Sequence, residues 1–185
     1  MPVSLLLATG VLGALLAAAS ATDIRERRVP NRLNLTVLLG GVAASTLLPS
    51  SRVTPLEALT GIGIGLGVWL PMYLARLVGA GDVKLMAASG AWLGGAGILW
   101  ASLWAALAGG VLGLVWIVGH RGVQSAAIAL GHALRSPRLL QLQPTDRRER
   151  VPYAVAIALG VFAAWCQHHE ALLTIVDAHA LFSAN

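Results

Sequence analysis

The sequence is short of charge. Asp, Glu, Lys and Arg make up 11% of its 185 residues, whereas they make up about 25% of a typical soluble domain. So few charged side chains cannot cover the surface of a soluble globule, and the 57% share of hydrophobic residues is too high for a disordered chain. The mean hydropathy is +0.75. Composition therefore excludes both classes and predicts an integral membrane protein surrounded by the lipid bilayer.

Cysteine is almost absent as well. The single Cys166 cannot form a disulfide within the chain, and no Cys-x-x-Cys pair is present to bind zinc. We interpret Cys166 as a small buried apolar side chain. The other pattern that suggests a metal, His168-His169-Glu170, consists of neighbours that point in different directions on a helix. We therefore predict neither a metal site nor a cofactor.

Long apolar segments, by contrast, are abundant. A transmembrane helix needs about 20 mostly apolar residues, and about six segments of the sequence are candidates, one of them short. The sequence predicts an all-α integral membrane protein with about six transmembrane helices in a single domain, residues 1–185. Glycines at residues 94–97 predict a turn between the fourth and fifth helices. The candidate helices are residues 3–22, 33–48, 56–78, 83–93, 98–118 and 152–167.

One long polar segment, about residues 120–150, is predicted to lie outside the bilayer as a cytoplasmic loop. Its first half has apolar residues at helical spacing, namely Val123, Ala127, Leu130 and Leu134. That spacing is typical of a helix in the membrane interface. A partly ordered basic loop fits the same residues equally well, so the sequence leaves both interpretations open.

The basic residues are distributed unevenly among the predicted loops. If the N-terminus lies outside, 12 of the 13 Lys and Arg residues fall in three cytoplasmic loops, and Arg52 alone lies outside. Cytoplasmic loops of membrane proteins show this bias, so we predict an outside N-terminus. The first basic cluster follows the first apolar segment, which favours a retained helix over a cleaved signal peptide. The positive charge therefore indicates topology, and we predict no nucleic-acid partner.

Two of the eight acidic residues lie where a predicted transmembrane helix meets the cytoplasmic face. Asp23 closes the first helix and Asp82 opens the fourth. Placing a carboxylate near the bilayer core costs free energy, so two carboxylates at the same depth in the membrane suggest a functional role. Such a pair can hydrolyse a peptide, because one carboxylate activates water while the other keeps a proton and polarises the carbonyl. The alternative is structural: each Asp caps a helix or pairs with Arg25 or Lys84, and Asp82 is well placed as an N-cap.

Four glycines of the third candidate helix contain two G-x-x-x-G spacings: Gly61, Gly63, Gly65 and Gly67. This spacing lets helix backbones approach closely. We interpret it as packing within the chain, with the seam of a homo-oligomer as the less favoured alternative.

The residues around both aspartates resemble the motifs of a known family. Residues 79–86, Gly-Ala-Gly-Asp-Val-Lys-Leu-Met, match the G-x-G-D-x-K-L signature of type IV prepilin peptidases, which belong to the GxGD intramembrane aspartyl proteases. Residues 23–31, Asp-Ile-Arg-Glu-Arg-Arg-Val-Pro-Asn, resemble that family's D-x-R-x-x-x-I/V-P-N motif, and residues 152–158 resemble a third stretch at the head of its last helix. The resemblance runs in order along nearly the whole chain. It is closest to the small form that serves tight-adherence (Flp-type) pili.

The resemblance implies which residues form the site. Asp23 and Asp82 match the catalytic aspartates, and no metal or cofactor is implied. Gly79 and Gly81 shape the site in this interpretation. Tyr153 could border the site, but we favour the interpretation that it anchors its helix in the interface. Four further residues match motif positions without an assigned role: Arg25, Pro30, Asn31 and Lys84.

The implied activity is that of a prepilin leader peptidase in the bacterial inner membrane, with its active site facing the cytoplasm. The implied substrate has a short basic leader followed by an apolar helix, and Glu26 is our candidate for recognising the leader. Larger family members also N-methylate the new terminus and carry a cysteine-bearing zinc module. We do not expect methylation from this chain, which has one cysteine. The alternatives are a GxGD protease that cuts other membrane segments and a non-catalytic assembly subunit of a pilus or secretion apparatus.

Overall fold

The computed structural model describes residues 3–47, 53–135 and 153–167. All regular secondary structure in this part of the chain is helical, which confirms the all-α class. Residues 136–150 of the predicted polar segment, Pro152 at the predicted start of the sixth helix and the motif at residues 168–170 lie outside the described residues. The helices are α1 (Val3–Glu26), α2 (Asn31–Leu47), α3 (Pro55–Leu74), α4 (Ala80–Arg135) and α5 (Tyr153–Gln167).

Three segments of the described chain are long and apolar enough to cross a membrane: Val3–Glu26, Pro55–Leu74 and Ala80–Val115. The helix α5 is also apolar but shorter. Large apolar side chains are exposed on the outside of the bundle, among them Leu47 and Leu56, each more than 70% exposed. Such a surface suits contact with lipid rather than with water. The structure therefore fits a membrane protein, while the number of six spans remains a prediction.

The helix α1 continues to Glu26, beyond its predicted end at residue 22. Asp23 consequently lies within the last turn of the helix. After Glu26 the backbone of Arg27 adopts the left-handed conformation (φ 54°), which commonly terminates helices. The Arg27 amide still donates to the Asp23 carbonyl (2.9 Å). The link between α1 and α2 is only four residues long, 27–30, so the end of α1 lies beside the start of α2.

The helix α4 changes direction at Gly94. This glycine has a φ of +68°, a left-handed value that glycine adopts without a steric penalty. Before Gly94 the helix runs antiparallel to α3, and after it the helix returns parallel to α3. We call residues 80–93 the first arm of α4 and residues 95–135 the second arm. The contacts that show the reversal are Gly65 with Ala87 and Gly61 with Gly90 before the glycine, and Ile64 with Gly95 and Trp69 with Ser102 after it.

The two arms correspond to the fourth and fifth predicted helices, with three differences. The first arm begins at Ala80 rather than at residue 83. Helical backbone resumes directly after Gly94, so the predicted turn at residues 94–97 shrinks to one residue. The second arm continues to Arg135, past the predicted end at residue 118. Of the two interpretations of the polar segment's first half, the structure therefore favours a helix, which is continuous with α4.

The glycines of α3 let it pack closely on the first arm of α4. A Cβ on Gly61 would collide with the backbone of Gly90, and a Cβ on Gly65 would lie 3.0 Å from the Ala87 Cα. Gly63, on another face of α3, has nothing within 4 Å. The pair Gly61 and Gly65 thus serves packing within the chain, as interpreted from the sequence, whereas Gly67, like Gly63, has no neighbour within 4 Å in the described residues.

The helix α5 packs against both α1 and the second arm of α4. A Cβ on Gly160 would lie 2.5 Å from the backbone nitrogen of Ala105, so the two helices touch at this glycine. Trp165 Nε1 donates to Thr9 Oγ1 of α1 (3.0 Å). Ile157, about one helical turn before Gly160, is fully buried. This packing places the first turn of α5 against the last turn of α1, where Asp23 lies.

Candidate active site

Asp23 is buried at the end of α1, with 7% of its surface exposed. Its Oδ2 accepts a hydrogen bond from the backbone N–H of Ala154 (2.9 Å). Ala154 lies in the first turn of α5, where N–H groups have no acceptor within the helix and favour a nearby negative charge. The charge of Arg27 also acts on this carboxyl group. A buried carboxylate needs such partners, and here the start of α5 supplies the direct one.

Asp82 lies in the first turn of α4 and is half-buried. Its Oδ2 accepts a hydrogen bond from the Gly79 N–H (3.0 Å). The Gly79 carbonyl in turn accepts the amides of Asp82 and Val83 (3.1 and 3.3 Å). Gly79 is therefore the N-cap, and Asp82, at the third helical position, makes the reciprocal bond of a capping box. The interpretation of Asp82 as the N-cap itself was wrong, because the helix begins two residues before the aspartate.

The two motif glycines allow close contacts beside Asp82. A Cβ on Gly79 would lie 3.1 Å from Asp82 Oδ2, closer than side chains normally approach. A Cβ on Gly81 would lie 3.4 Å from the Cβ of Val29, in the link between α1 and α2. The glycines thus let the turn that carries Asp82 pack directly on the residues that follow Asp23.

Two asparagines of α2 hold the first turn of α4. At the exposed end, Lys84 Nζ donates to Asn31 Oδ1 (2.9 Å). One helical turn further, Asn34 Nδ2 donates to the Gly81 carbonyl (3.2 Å). Asn34 is only 5% exposed, and its Oδ1 has no hydrogen-bond partner among the described residues. Sequence reasoning missed Asn34, although an amide within an apolar helix is an unusual feature that could have identified it.

Tyr153, the first residue of α5, links the surroundings of the two aspartates. Its ring packs edge-on against Trp69, with centroids 5.8 Å apart and an interplanar angle of 63°, and it lies directly over Gly109. The charge of Asp82 acts on the Tyr153 hydroxyl. The residue that follows Tyr153 supplies the N–H that binds Asp23. Tyr153 therefore packs inside the bundle, directly before the residue that binds Asp23, and its role in the site stays a prediction.

The other motif residues lie at the edge of this arrangement. Pro30 is half-buried, and its carbonyl accepts the first backbone hydrogen bonds of α2. Arg25 is exposed in the last turn of α1. Glu26, the candidate for leader recognition, is exposed and pairs with Arg28 (3.2 Å). Lys84 binds Asn31, as described above. The structure therefore brings Asp82 and the two glycines against the link that follows Asp23, and it places Tyr153 beside the N–H that binds Asp23. Arg25 is exposed and takes part in none of these contacts.

Two carboxyl groups and one phenol are the reactive side chains gathered here. Each carboxyl group has its Oδ2 engaged by a backbone N–H, which fixes its orientation. A carboxyl pair of this kind can divide the roles of base and acid in the hydrolysis of a peptide bond. Within the described residues there is no group of three or more His, Cys, Asp or Glu side chains placed to hold a metal ion.

Comparison with known proteins gives a consistent result. A family model described as the type IV leader peptidase family matches residues 10–114, more than half of the chain. A protein named prepilin leader peptidase/N-methyltransferase from Xanthomonas campestris pv. campestris is 32% identical over 128 residues, which cover 65% of this chain and 44% of the relative. A protein of the same name from Dickeya chrysanthemi is 35% identical over 134 residues, covering 65% and 46%.

A third relative with that name, from Burkholderia pseudomallei, is 36% identical over 118 residues, covering 60% of this chain and 37% of the relative. The chain thus spans less than half the length of these relatives. No solved structure matches it.

Proposed function

The chain belongs to the type IV leader peptidase family, and from this premise we propose that it is a membrane-embedded aspartyl endopeptidase acting on prepilins. Its apolar helices and its family indicate a bacterial membrane protein. The names of its relatives support a prepilin as the substrate. We propose that the enzyme removes the short basic leader of a type IV, Flp-like prepilin and leaves the apolar helix of the prepilin in the membrane.

One observation carries the proposal: the first turn of α5 binds Asp23 and also feels the charge of Asp82. The backbone N–H of Ala154 binds Asp23, and the neighbouring Tyr153 hydroxyl lies within the electrostatic influence of Asp82. Asp23 and Asp82 are 59 positions apart in the sequence and lie on different helices. The hydrogen bond to Asp23 and the effect of the Asp82 charge fall on two consecutive residues, which supports a single site with two carboxyl groups.

We propose that Asp23 and Asp82 act as a catalytic pair without a metal and without a covalent intermediate. The ionised carboxylate takes a proton from water, and the water oxygen forms a bond to the scissile carbonyl carbon. The protonated carboxyl group then gives its proton to the leaving nitrogen as the C–N bond breaks. The backbone N–H groups that hold each Oδ2 support this division, because they fix both side chains before the substrate arrives.

The position of the site in the membrane is part of the proposal. Asp23 lies near the end of α1 and Asp82 near the start of α4. Basic residues lie close to both in the sequence, among them Arg25, Arg27 and Lys84. The preference of such residues for cytoplasmic loops supports a site at the cytoplasmic face of the inner membrane. There the leader remains in the cytoplasm, and the substrate helix lies beside the helix that carries Asp82. Glu26 is the proposed contact for the basic leader, in competition with its ion pair to Arg28.

Proteolysis alone is proposed, and the product should keep an unmethylated N-terminus. The relatives are named for both peptidase and N-methyltransferase activities, so this part of the proposal needs its own test. With S-adenosylmethionine present, the mass of the mature pilin should equal that of the cleaved polypeptide. An added methyl group would contradict this part and leave the proposed proteolysis intact.

Purified enzyme and a candidate prepilin in detergent provide the test of proteolysis. Asp23→Asn and Asp82→Asn should each abolish the size shift of the prepilin. Asparagine retains a side-chain oxygen that can accept the backbone N–H, so these variants remove the acid–base chemistry and keep the fold. Glu57→Gln is the matched control, because Glu57 lies in the capping box of α3, where glutamine is an accepted replacement.

Cleavage by either Asn variant at the wild-type rate would refute the proposed pair. If the wild-type protein and both Asn variants all fail to cleave prepilins, the alternative of a non-catalytic assembly subunit is favoured instead. A metal-independent pair also predicts that cleavage continues in EDTA, and loss of activity that zinc restores would contradict it.

A further inference from the structure

Tyr153 is held rigidly from two sides by other helices. Its ring meets the Trp69 ring of α3 edge-on at a centroid distance of 5.8 Å, an arrangement that contributes beyond simple apolar burial. On the other side the ring and its hydroxyl lie over Gly109 in the second arm of α4, where even a Cβ would collide with them. Trp69 is itself fixed by a hydrogen bond from its Nε1 to Ser102 (2.9 Å). The packing of the ring against Trp69 and Gly109 therefore fixes the position of the phenol.

The contrast with Tyr73, the other tyrosine of the chain, excludes a purely interfacial role for this packing. Tyr73 lies near the end of α3 and is 42% exposed, as expected for an aromatic side chain that contacts lipid or the interface. Tyr153 is more buried, and its ring contacts two helices of the bundle. An anchoring residue needs neither the contact with Trp69 nor the space above Gly109.

Tyr153 is linked to both aspartates. It is influenced by the charge of Asp82, and the backbone of the next residue is bound to Asp23. A substrate carbonyl that binds beside Asp23 would therefore lie at the first turn of α5, which begins with Tyr153. A tyrosine hydroxyl can donate one hydrogen bond and ordinarily keeps its proton at neutral pH.

We propose that Tyr153 is a third catalytic residue, whose hydroxyl donates a hydrogen bond to the carbonyl oxygen of the scissile peptide. The inference rests on the proposed peptidase function. When water adds to the carbonyl carbon, negative charge develops on that oxygen, and a preorganised donor stabilises it more than it stabilises the ground state. The proton of the attacking water still passes to the ionised aspartate, and the leaving nitrogen still receives its proton from the other. Tyr153 keeps its own proton throughout.

The test is the variant Tyr153→Phe, which removes the hydroxyl and retains the ring that packs on Trp69 and Gly109. Removal of one such donor typically lowers kcat by about 100-fold or more. We expect a loss of that size in prepilin cleavage, with KM changed by less than about twofold because ground-state binding is retained. Tyr73→Phe is the matched control and should behave as wild type. The thermal midpoint of each variant in detergent should stay at the wild-type value.

A second measurement is independent of turnover. Two substrate-like inhibitors are compared: a peptide ketone, whose hydrate carries the tetrahedral oxygens, and a reduced amide, which has no oxygen at that carbon. Tyr153→Phe should weaken binding of the ketone in proportion to the loss of kcat and leave the affinity of the reduced amide unchanged. Equal weakening of both inhibitors would contradict the proposal.

The outcomes separate the two claims. If the wild-type protein cleaves prepilin, Asp23→Asn does not, and Tyr153→Phe retains the wild-type kcat, then the role of the hydroxyl is refuted while the proposed function stands. An increase in KM alone would also refute it, since it would show a role in substrate binding only. If the wild-type protein cleaves no prepilin, the proposed function itself fails.

Discussion

The two aspartates are held in opposite ways. Asp23 is almost fully buried, and the N–H that binds its Oδ2 comes from Ala154, 131 positions along the chain. Asp82 is half-buried, and the N–H that binds its Oδ2 comes from Gly79, three positions earlier. The first contact requires that α5 dock against the rest of the bundle. The second forms as soon as the first turn of α4 forms.

The two halves of the site therefore depend on different parts of the fold. The geometry of Asp23 depends on helix packing far from the carboxyl group, whereas the geometry of Asp82 depends on a few neighbouring residues. Substitutions that disturb the docking of α5 should therefore act through Asp23 and reduce stability as well as activity. Substitutions beside Asp82 should reduce activity with little change in stability.

The largest effect is expected from Gly160→Ala, at the contact between α5 and the second arm of α4. The added Cβ would meet the backbone of Ala105 at 2.5 Å, and overpacking of this kind costs about 1–3 kcal/mol. As α5 moves away, the N–H that binds Asp23 moves with it, so cleavage should fall along with the thermal midpoint. Gly63→Ala is the control, because its Cβ would enter open space. Wild-type stability and activity in Gly160→Ala would break the proposed dependence on docking.

An intermediate effect is expected from Gly79→Ala. Its Cβ would lie 3.1 Å from Asp82 Oδ2, so the carboxyl group must shift by a few tenths of an ångström. Since a misplacement of 1 Å can cost about 100-fold in rate, we expect a loss of about tenfold. The Gly79 N–H remains, so the thermal midpoint should hardly change. Gly81→Ala, whose Cβ would make an ordinary 3.4 Å contact with Val29, should lose less activity, and the reverse order would contradict the account.

The smallest loss of cleavage is expected from Asn34→Leu. The change removes the hydrogen bond to Gly81 that positions the turn before Asp82, but it also removes the buried Oδ1 that has no partner among the described residues. Because an unsatisfied buried polar atom costs about 1–3 kcal/mol, the two effects on stability should nearly cancel. Cleavage should still fall several-fold, since Asp82 is less well positioned. Ser45→Ala, on the same buried face of α2, should leave both quantities unchanged.

The sequence predicted the local half of this site better than the distant half. The helices follow from apolar segments, and the contact of Gly79 with Asp82 follows from the spacing around Asp82. Both depend on neighbouring residues only, so sequence patterns can predict them. Even there, we predicted Asp82 as the N-cap of α4, whereas the N-cap is Gly79. The Asp82 side chain accepts the N–H of the N-cap residue, and in a sequence an Asp in this role looks the same as an Asp at the N-cap itself. The reversal near Gly94 was also predicted, since consecutive glycines mark turns.

The contact of Ala154 with Asp23 could not be predicted in the same way. It uses a backbone N–H, which every residue but proline has, so no residue type marks it in the sequence. Asn34 did carry a signal, as an amide in an apolar helix, but its partner is the backbone carbonyl of Gly81. Trp69 and Gly109, which fix Tyr153, likewise become recognisable only when the second arm of α4 is seen to return along α3.

The most direct test of the central claim compares the single-turnover cleavage rates of Asp23→Asn, Asp82→Asn and the double variant on one prepilin. If the two carboxyl groups act as one catalytic unit, removal of either removes the whole mechanism, and effects on such units are strongly non-additive. The account predicts that all three variants share the same residual rate, far below that of the wild type. A double variant slower than each single variant by the product of the two separate losses would show independent residues, and would contradict the account.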